Sequence, residues 1–207
     1  MIESINPMDI EKRSFEIITE LLGDKKPAPE NELVIKRVIH TSADFDYADN
    51  LVFSDGAVEK GINALRSRCD IVSDTQMTKA GINKTILASL GGQVHCFMSD
   101  EDVAKEAQQR GVTRAIVSME RAAALEKPCI FAIGNAPTAL IELSKLISEG
   151  KLMPALIIAV PVGFVNVVES KELIIKSPVP YIVARGRKGG SNVAAAICNA
   201  LLYQIMR

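Results

Sequence analysis

The pattern of hydrophobic and polar positions divides the chain into two parts near residue 69. In the first part apolar side chains recur three or four positions apart, which is typical of amphipathic helices. This spacing predicts helices over residues 8–22, 30–39 and 55–68. Gly23 is expected to end the first helix, and Asp55 is expected to be the N-cap of the third. Residues 1–68 are therefore predicted to form a helical N-terminal part.

The second part, residues 69–207, alternates short apolar runs with amphipathic helices. The runs are rich in Val, Ile, Ala and Cys without polar alternation, which is typical of strands buried on both faces. They occupy residues 69–73, 93–98, 129–133, 155–160 and 180–184. Residues 99–102 form a capping-box pattern, and Pro137 suits the first position of a helix.

Parallel strands need crossover connections, which here are the predicted helices. The sequence therefore predicts one α/β domain over residues 1–207, with a doubly wound, five-stranded parallel sheet of the flavodoxin-like, three-layer type. The helical N-terminal segment is expected to pack onto this core or onto a partner subunit.

Loops rich in polar residues follow four of the predicted strands. They lie at residues 74–78, 134–138, 161–166 and 185–192, and each leads into a helix. In an open parallel sheet, ligands bind beyond the carboxyl ends of the strands, and free N–H groups at helix starts attract anions. Because the last loop adds Arg185, Arg187 and Lys188, we predict a ligand with several negative charges. Tight turns and ordinary solvated charges are the alternative interpretation of these glycines and cations.

His40 is one of two histidines in the 207 residues, and hydroxyls, carboxylates and a phenol follow it over residues 41–47. Imidazole has the unperturbed pKa nearest neutrality, so His40 is a candidate general acid or base. A second interpretation is that His40, at the end of a predicted helix, complements the helix dipole. His95 lies within a predicted strand and is interpreted as a core histidine.

Composition excludes several classes of protein. The 24 basic and 25 acidic residues give a net charge of −1, so no nucleic-acid or membrane partner is expected. The four cysteines are far apart and suit neither a zinc site nor a disulfide framework, which indicates a reducing cytoplasm. No secretory signal is evident, and the longest apolar stretch, residues 154–165, is too short to span a bilayer. The phosphate-binding motifs GxxxxGK[ST] and GxGxxG are absent, which leaves nucleotide binding as a minor alternative.

Seven segments carry a resemblance to a known family. They are Arg13-Ser-Phe15, Lys36-Arg-Val-Ile-His40 and its continuation Thr-Ser-Ala-Asp-Phe-Asp-Tyr47, Asp74-Thr-Gln-Met-Thr-Lys-Ala-Gly-Ile82, Ile133-Gly-Asn-Ala-Pro-Thr-Ala-Leu140, Val162-Gly-Phe-Val-Asn-Val-Val-Glu-Ser-Lys171 and Arg185-Gly-Arg-Lys-Gly-Gly-Ser191. Together they are distributed over residues 13–191, which is most of the length of the chain. They resemble the precorrin-8X methylmutases, also called cobalt-precorrin-8 methylmutases, of cobalamin biosynthesis.

The resemblance implies an isomerase that moves a methyl group from C-11 to C-12 of a polycarboxylated tetrapyrrole, giving hydrogenobyrinic or cobyrinic acid. It implies that His40 is the general acid, which protonates the macrocycle and makes the migration terminus electron-poor. The residues that it implies for substrate binding are Arg13, Ser14, Thr41, Ser42, Thr85, Arg114, Gly134, Asn135, Thr138, Gly163, Arg185, Gly186, Arg187, Lys188, Gly189 and Ser191.

The resemblance also implies a homodimer with sites at or near the subunit interface. It implies no cofactor and no metal site on the protein, since any cobalt is carried by the substrate. The Thr-Ser-Ala-Asp sequence after His40 favours the cobalt-containing substrate. A non-catalytic tetrapyrrole carrier on the same fold is the alternative from another functional class.

Overall fold

A mostly parallel sheet lies at the centre of the structure, a computed structural model that describes residue 6 and residues 9–206. Its strands within these residues are β1 Leu51–Phe53, β2 Asp70–Ser73, β3 Val94–His95, β4 Cys129–Ile133, β5 Leu156–Ala159 and β6 Tyr181–Ala184. The strand order is β1-β6-β5-β4-β2-β3, with β2 to β6 parallel. These five parallel strands have the flavodoxin order, so the predicted fold class is confirmed.

The predicted number of strands is corrected from five to six. The additional strand, β1, lies in the part that was expected to be entirely helical, and it pairs antiparallel with β6 through Leu51 opposite Ala184. A three-residue strand carries no periodic signal in the sequence, because it forms only through pairing with a distant strand. The predicted strand at 93–98 is also shorter, since only Val94 and His95 pair with β2.

The helices are α1 Ile10–Leu22, α2 Glu32–Ser42, α3 Tyr47–Asn50, α4 Ala57–Arg66, α5 Gln76–Gly81, α6 Lys84–Ser89, α7 Glu101–Arg110, α8 Arg114–Ala123, α9 Pro137–Ser148, α10 Val167–Ile175 and α11 Ser191–Ile205. The three N-terminal helices are confirmed as α1, α2 and α4, although the predicted start at residue 8 lies outside the described residues. Pro137 is the first residue of α9, as predicted. Because α2 continues to Ser42, His40 lies in its last turn and not beyond its end.

Two predicted caps are wrong. The N-cap of α4 is Gly56, with a φ of 62°, and its predecessor Asp55 does not cap the helix. The N-cap of α7 is Asp100, and no side chain caps this helix. The expected capping box fails because the carboxylate of Asp102 accepts hydrogen bonds from Arg121 on α8 instead. An ion pair between helices thus replaces the predicted local contact.

Helices cover both faces of the sheet. On one face α4, α5 and α11 pack together, and α2 lies against α11, so that Val34, Val38 and Ile39 join the same buried cluster as Ile130 and Ile158. On the other face α8, α9 and α10 pack against the remaining side chains of the strands. In the described part of the chain, no helix combines the length and the apolar composition needed to cross a membrane.

Candidate active site

A buried carboxylate lies at the point where the strand order reverses, between β2 and β4. Asp74 follows β2 and is 1% exposed. Its two oxygens accept the N–H groups of Gly134 at 2.8 Å, Asn135 at 2.8 Å and Ala136 at 2.6 Å. Burial raises the pKa of Asp74, while these three donors favour its ionised form. Asp74 therefore fixes the loop that precedes α9.

These bonds correct the expectation that the backbone N–H groups of residues 134–136 are free to bind an anion. The N–H groups of residues 134–136 are donated to a carboxylate of the protein itself, so they do not face a ligand. Gly134 has a packing role, because a Cβ there would lie 2.8 Å from the Cα of Ser191. Of residues 134–136, Asn135 alone is exposed.

The four post-strand loops at residues 74–78, 134–138, 161–166 and 185–192 form a rim along the carboxyl edge of the sheet. Hydroxyl groups join the first and last loops of this rim. The Thr75 and Ser191 hydroxyl oxygens are 2.8 Å apart, and the Thr78 hydroxyl donates to the carbonyl of Ser191 at 3.2 Å. The last loop also lies against the end of β5, where the Gly190 N–H donates to the carbonyl of Val160 at 2.8 Å. These contacts and those of Asp74 join three of the predicted loops directly, and the loop at 161–166 is joined to the last loop through Gly163 and Arg187.

The predicted cations of the last loop are exposed, and each already has a partner. The guanidinium of Arg185 donates to Glu172 at 3.1 Å. The guanidinium of Arg187 donates to the carbonyl of Phe164 at 2.8 Å and lies 5.5 Å from the centre of its ring. Gly163, in the same loop as Phe164, donates its N–H to the carbonyl of Arg187 at 3.2 Å. The loops after β5 and β6 therefore form one surface.

Lys188 connects this surface to the segment that follows His40 in the chain. Its ammonium contacts the carboxylates of Asp44 and Asp46, both at 2.6 Å. The two carboxylates raise the pKa of Lys188, and Lys188 in turn lowers the pKa of Asp44. Both aspartates come just after α2, whose C-cap residue Ala43 has a left-handed conformation. The end of α2 is therefore held beside the last loop of the rim.

His40 is exposed in the last turn of α2. Its ring centre lies 5.7 Å from that of Phe15 on α1, and the imidazole makes no hydrogen bond to any residue in the described part of the chain. Of the polar residues that follow it, Ser42 donates to the carbonyl of Val38 at 2.7 Å, and Tyr47 is buried. Thr41 is exposed beside it. Phe15 is thus a neighbour of His40 that sequence reasoning missed.

The remaining predicted residues lie in three places. Arg13 and Ser14 precede Phe15 on α1, where Arg13 lies 3.5 Å from Glu16 and the Ser14 hydroxyl donates to the carbonyl of Ile10. Both therefore lie on the helix that contacts His40.

Thr138 and Arg114 lie at the start of α9 and α8, joined by a 3.0 Å hydrogen bond between Thr113 and Thr138. Thr85 is not brought to the rim. It lies on α6, two residues after Asn83, and the N–H of Asn83 donates to the side chain of Asn199 on α11. Asn199 is eight residues beyond the start of α11, a separation of about 12 Å along the helix axis.

Sequence reasoning also missed a buried lysine beneath the rim. Lys171 on α10 is 0% exposed, and its ammonium donates to the carbonyls of Gly186 at 2.8 Å and Lys188 at 2.9 Å. Its position was visible in the sequence, because it follows Val167 by four residues and precedes Ile174 by three, on the buried face of the helix. Burial lowers the pKa of Lys171 to about 8.

The strand order, the rim of loops and the adjoining histidine define an α/β protein of flavodoxin-like topology with exposed cations at one edge of its sheet. The family description CbiC, precorrin-8X methylmutase, matches residues 9–204. The chain belongs to the precorrin-8X methylmutase family, and the resemblance noted in the sequence is confirmed.

Known relatives match almost the whole chain. Cobalt-precorrin-8 methylmutases of Priestia megaterium and Salmonella typhimurium are 46% and 47% identical to it, covering 96% of this chain in each case and 88% and 96% of those proteins. A precorrin-8X methylmutase of Pseudomonas aeruginosa is 40% identical over 84% of both chains. The crystal structure of precorrin-8x methyl mutase from Thermus thermophilus superposes with a TM-score of 0.87 at 36% identity, covering 96% of this chain and 98% of that one.

Proposed function

We propose that this protein is an isomerase of corrin biosynthesis that moves a methyl group from C-11 to C-12 of cobalt-precorrin-8, giving cobyrinic acid. The observation that carries the proposal is the placement of His40. An exposed imidazole, free of hydrogen bonds to the described residues, lies at the end of a helix that two ion pairs attach to a cationic rim. The curated relatives at 46% and 47% identity are both cobalt-precorrin-8 methylmutases, which supports the cobalt-containing substrate.

The reaction needs a group that donates a proton to the substrate and takes the proton back at the end. His40 in its imidazolium form donates a proton to the macrocycle, which makes C-12 electron-poor and lowers the barrier for arrival of the methyl group. The bond from the methyl group to C-11 breaks as the bond to C-12 forms. Since an isomerisation neither gains nor loses atoms, the macrocycle then returns the proton to the imidazole. Exposure of His40 leaves it accessible to a large substrate.

The rim matches an apolar macrocycle that is bordered by carboxylates. Phe164 and Val165, after β5, are 81% and 78% exposed, and they offer an apolar surface to the ring system. Arg185, Arg187 and Lys188 border that surface and are placed to meet the carboxylates. Because these cations are held by protein partners before the substrate arrives, less side-chain entropy is lost on binding.

The proposal includes a homodimer located in the cytoplasm, with no cofactor of its own and with cobalt supplied by the substrate. The outer face of α1 exposes Ile10, Ile17 and Leu21 at 52%, 38% and 66%. These apolar side chains support contact of a second subunit with α1, the helix that also carries Phe15. Light scattering on the purified protein tests this part, because a monomer mass at micromolar concentration would contradict it.

Turnover of the rearrangement tests the activity. The wild type should convert cobalt-precorrin-8 to cobyrinic acid, followed by its visible spectrum, and should prefer it to the metal-free substrate. His40→Ala should bind cobyrinic acid with nearly unchanged affinity and show no rearrangement, because only the proton donor is removed. Binding without turnover in the wild type would indicate the carrier instead, and full turnover in the variant would exclude His40 from the mechanism.

A further inference from the structure

Lys171 is the one fully buried ammonium group near the rim among the described residues, and its role is not explained by an ion pair. Its ammonium forms no ion pair with a carboxylate of the described residues, and burial lowers its pKa. Its contacts are the two backbone carbonyls of Gly186 and Lys188. A charge without a partner carboxylate is costly to bury, so a lysine at this position needs a specific function.

The two contacts determine how the backbone of the last loop is oriented. In a planar trans peptide the C=O group and the N–H group of the next residue point in opposite directions. Because the carbonyls of Gly186 and Lys188 point inward to Lys171, the N–H groups of Arg187 and Gly189 point outward. Neither of these N–H groups donates to another atom of residues 9–206.

A second contact keeps this part of the loop in place. Gly189 lies so close to β5 that a Cβ on it would be 2.1 Å from the carbonyl oxygen of Val160, and the next N–H, that of Gly190, donates to the same oxygen. The loop is therefore fixed from below by Lys171 and from the side by the end of β5. Two outward N–H groups on a fixed loop are hydrogen-bond donors of the kind that bind anions.

We propose that the N–H groups of Arg187 and Gly189 bind one carboxylate of the substrate, and that Lys171 is the positioning residue that orients them. The inference rests on the proposed function and adds a binding group that is distinct from the side-chain cations. Lys171 does not touch the substrate. It acts through the carbonyls of the loop, and its positive charge beneath the loop favours an anion above it.

Two matched variants and two matched ligands test the proposal. Lys171→Met removes the ammonium while keeping an unbranched apolar side chain, and Lys176→Met removes an exposed ammonium at the end of the same helix. The affinity of each for cobyrinic acid and for its fully methyl-esterified form is measured by visible titration. Lys171→Met should weaken binding of the acid about tenfold or more, with little effect on binding of the ester and on turnover at saturating substrate. Lys176→Met should behave as the wild type.

Equal losses of acid and ester binding in Lys171→Met would overturn the proposal, as would unchanged acid binding. A second measurement uses the wild type alone and covers the case in which the variant does not fold. In ¹⁵N-labelled protein, the amide protons of Arg187 and Gly189 should shift downfield during titration with cobyrinic acid and stay in place with the ester. Amide signals that do not move while the acid binds would refute the carboxylate site. Absence of acid binding by the wild type would instead refute the proposed function itself.

Discussion

Gly189 offers a quantitative test of how the rim is built, because Gly186 in the same loop is its matched control. Both glycines have a positive φ, 156° for Gly189 and 79° for Gly186. A Cβ on Gly186 would have no atom within 4 Å, whereas a Cβ on Gly189 would lie 2.1 Å from the carbonyl oxygen of Val160. Alanine at either position meets an unfavourable φ, but only Gly189→Ala also collides with backbone.

The expected loss of stability differs between the two variants. Gly186→Ala should cost roughly 1–2 kcal/mol, the penalty of a left-handed backbone for a residue with a side chain. In Gly189→Ala, ordinary contact at 3.4 Å requires the loop to move by more than 1 Å. This movement breaks the hydrogen bond between Gly190 and Val160, worth about 1 kcal/mol, and adds strain of roughly 1–3 kcal/mol. At the lower limit of these added costs, the difference between the variants should be about 2 kcal/mol.

Urea unfolding followed by circular dichroism measures this difference. With a denaturant dependence of about 2 kcal/mol per molar urea, the midpoint of Gly189→Ala should lie about 1 M below that of Gly186→Ala. Titration with cobyrinic acid should also give the weaker affinity for Gly189→Ala, since its displaced loop carries the binding groups. Coincident midpoints would refute the reasoning, because they would mean that the close approach to β5 does not constrain the loop.

Three further outcomes are expected. The first concerns Asp70. Burial acts to raise the pKa of its carboxyl group, but hydrogen bonds from His95 and a backbone N–H outweigh burial and hold this pKa below its usual value. The stabilisation from this carboxylate is therefore present above about pH 4 and lost as the pH falls through the lowered pKa. Asp70→Asn should cost about 2 kcal/mol at pH 7 in urea unfolding and progressively less as the pH falls below about 4. Lys188→Met should weaken binding of cobyrinic acid at low salt, and the difference from the wild type should shrink in 1 M salt, where exposed charges are screened; an equal difference at both salt concentrations would contradict this. Burial raises the pKa of Cys69 and of Cys198 to about 12, so iodoacetamide should leave both thiols unmodified in folded protein at pH 8 and alkylate them in urea, as read by mass spectrometry.

The predictable part of the fold is the part whose signal is local. Helices α1, α2 and α4 and the five parallel strands follow from the spacing and the continuity of apolar residues, because the buried face of each element is visible in its own segment. Strand β1 and the caps of α4 and α7 were not predictable in this way. Each depends on a distant partner, such as β6 for Leu51 or Arg121 for Asp102.

The candidate site also has a part that was predictable from local sequence and a part that was not. The post-strand loops and their cations were identifiable because topology alone places the carboxyl ends of parallel strands at one edge. The pairing of Lys188 with Asp44 and Asp46 joins residues more than 140 positions apart, and the capture of N–H groups by Asp74 joins loops 60 residues apart. No spacing rule encodes such contacts. Thr85, which the resemblance implied, is the predicted residue that the fold leaves away from the rim.

The edges of the central sheet restrict how two copies of this chain can associate. The strands at its edges, β1 and β3, are three and two residues long, so few backbone groups remain unpaired along either side. Short edge strands are a means by which proteins prevent a neighbouring chain from adding to a sheet. The proposed dimer must therefore be assembled from helix side chains, with no sheet continuing from one subunit into the next. The same feature limits aggregation through strand addition while the enzyme accumulates in the cell.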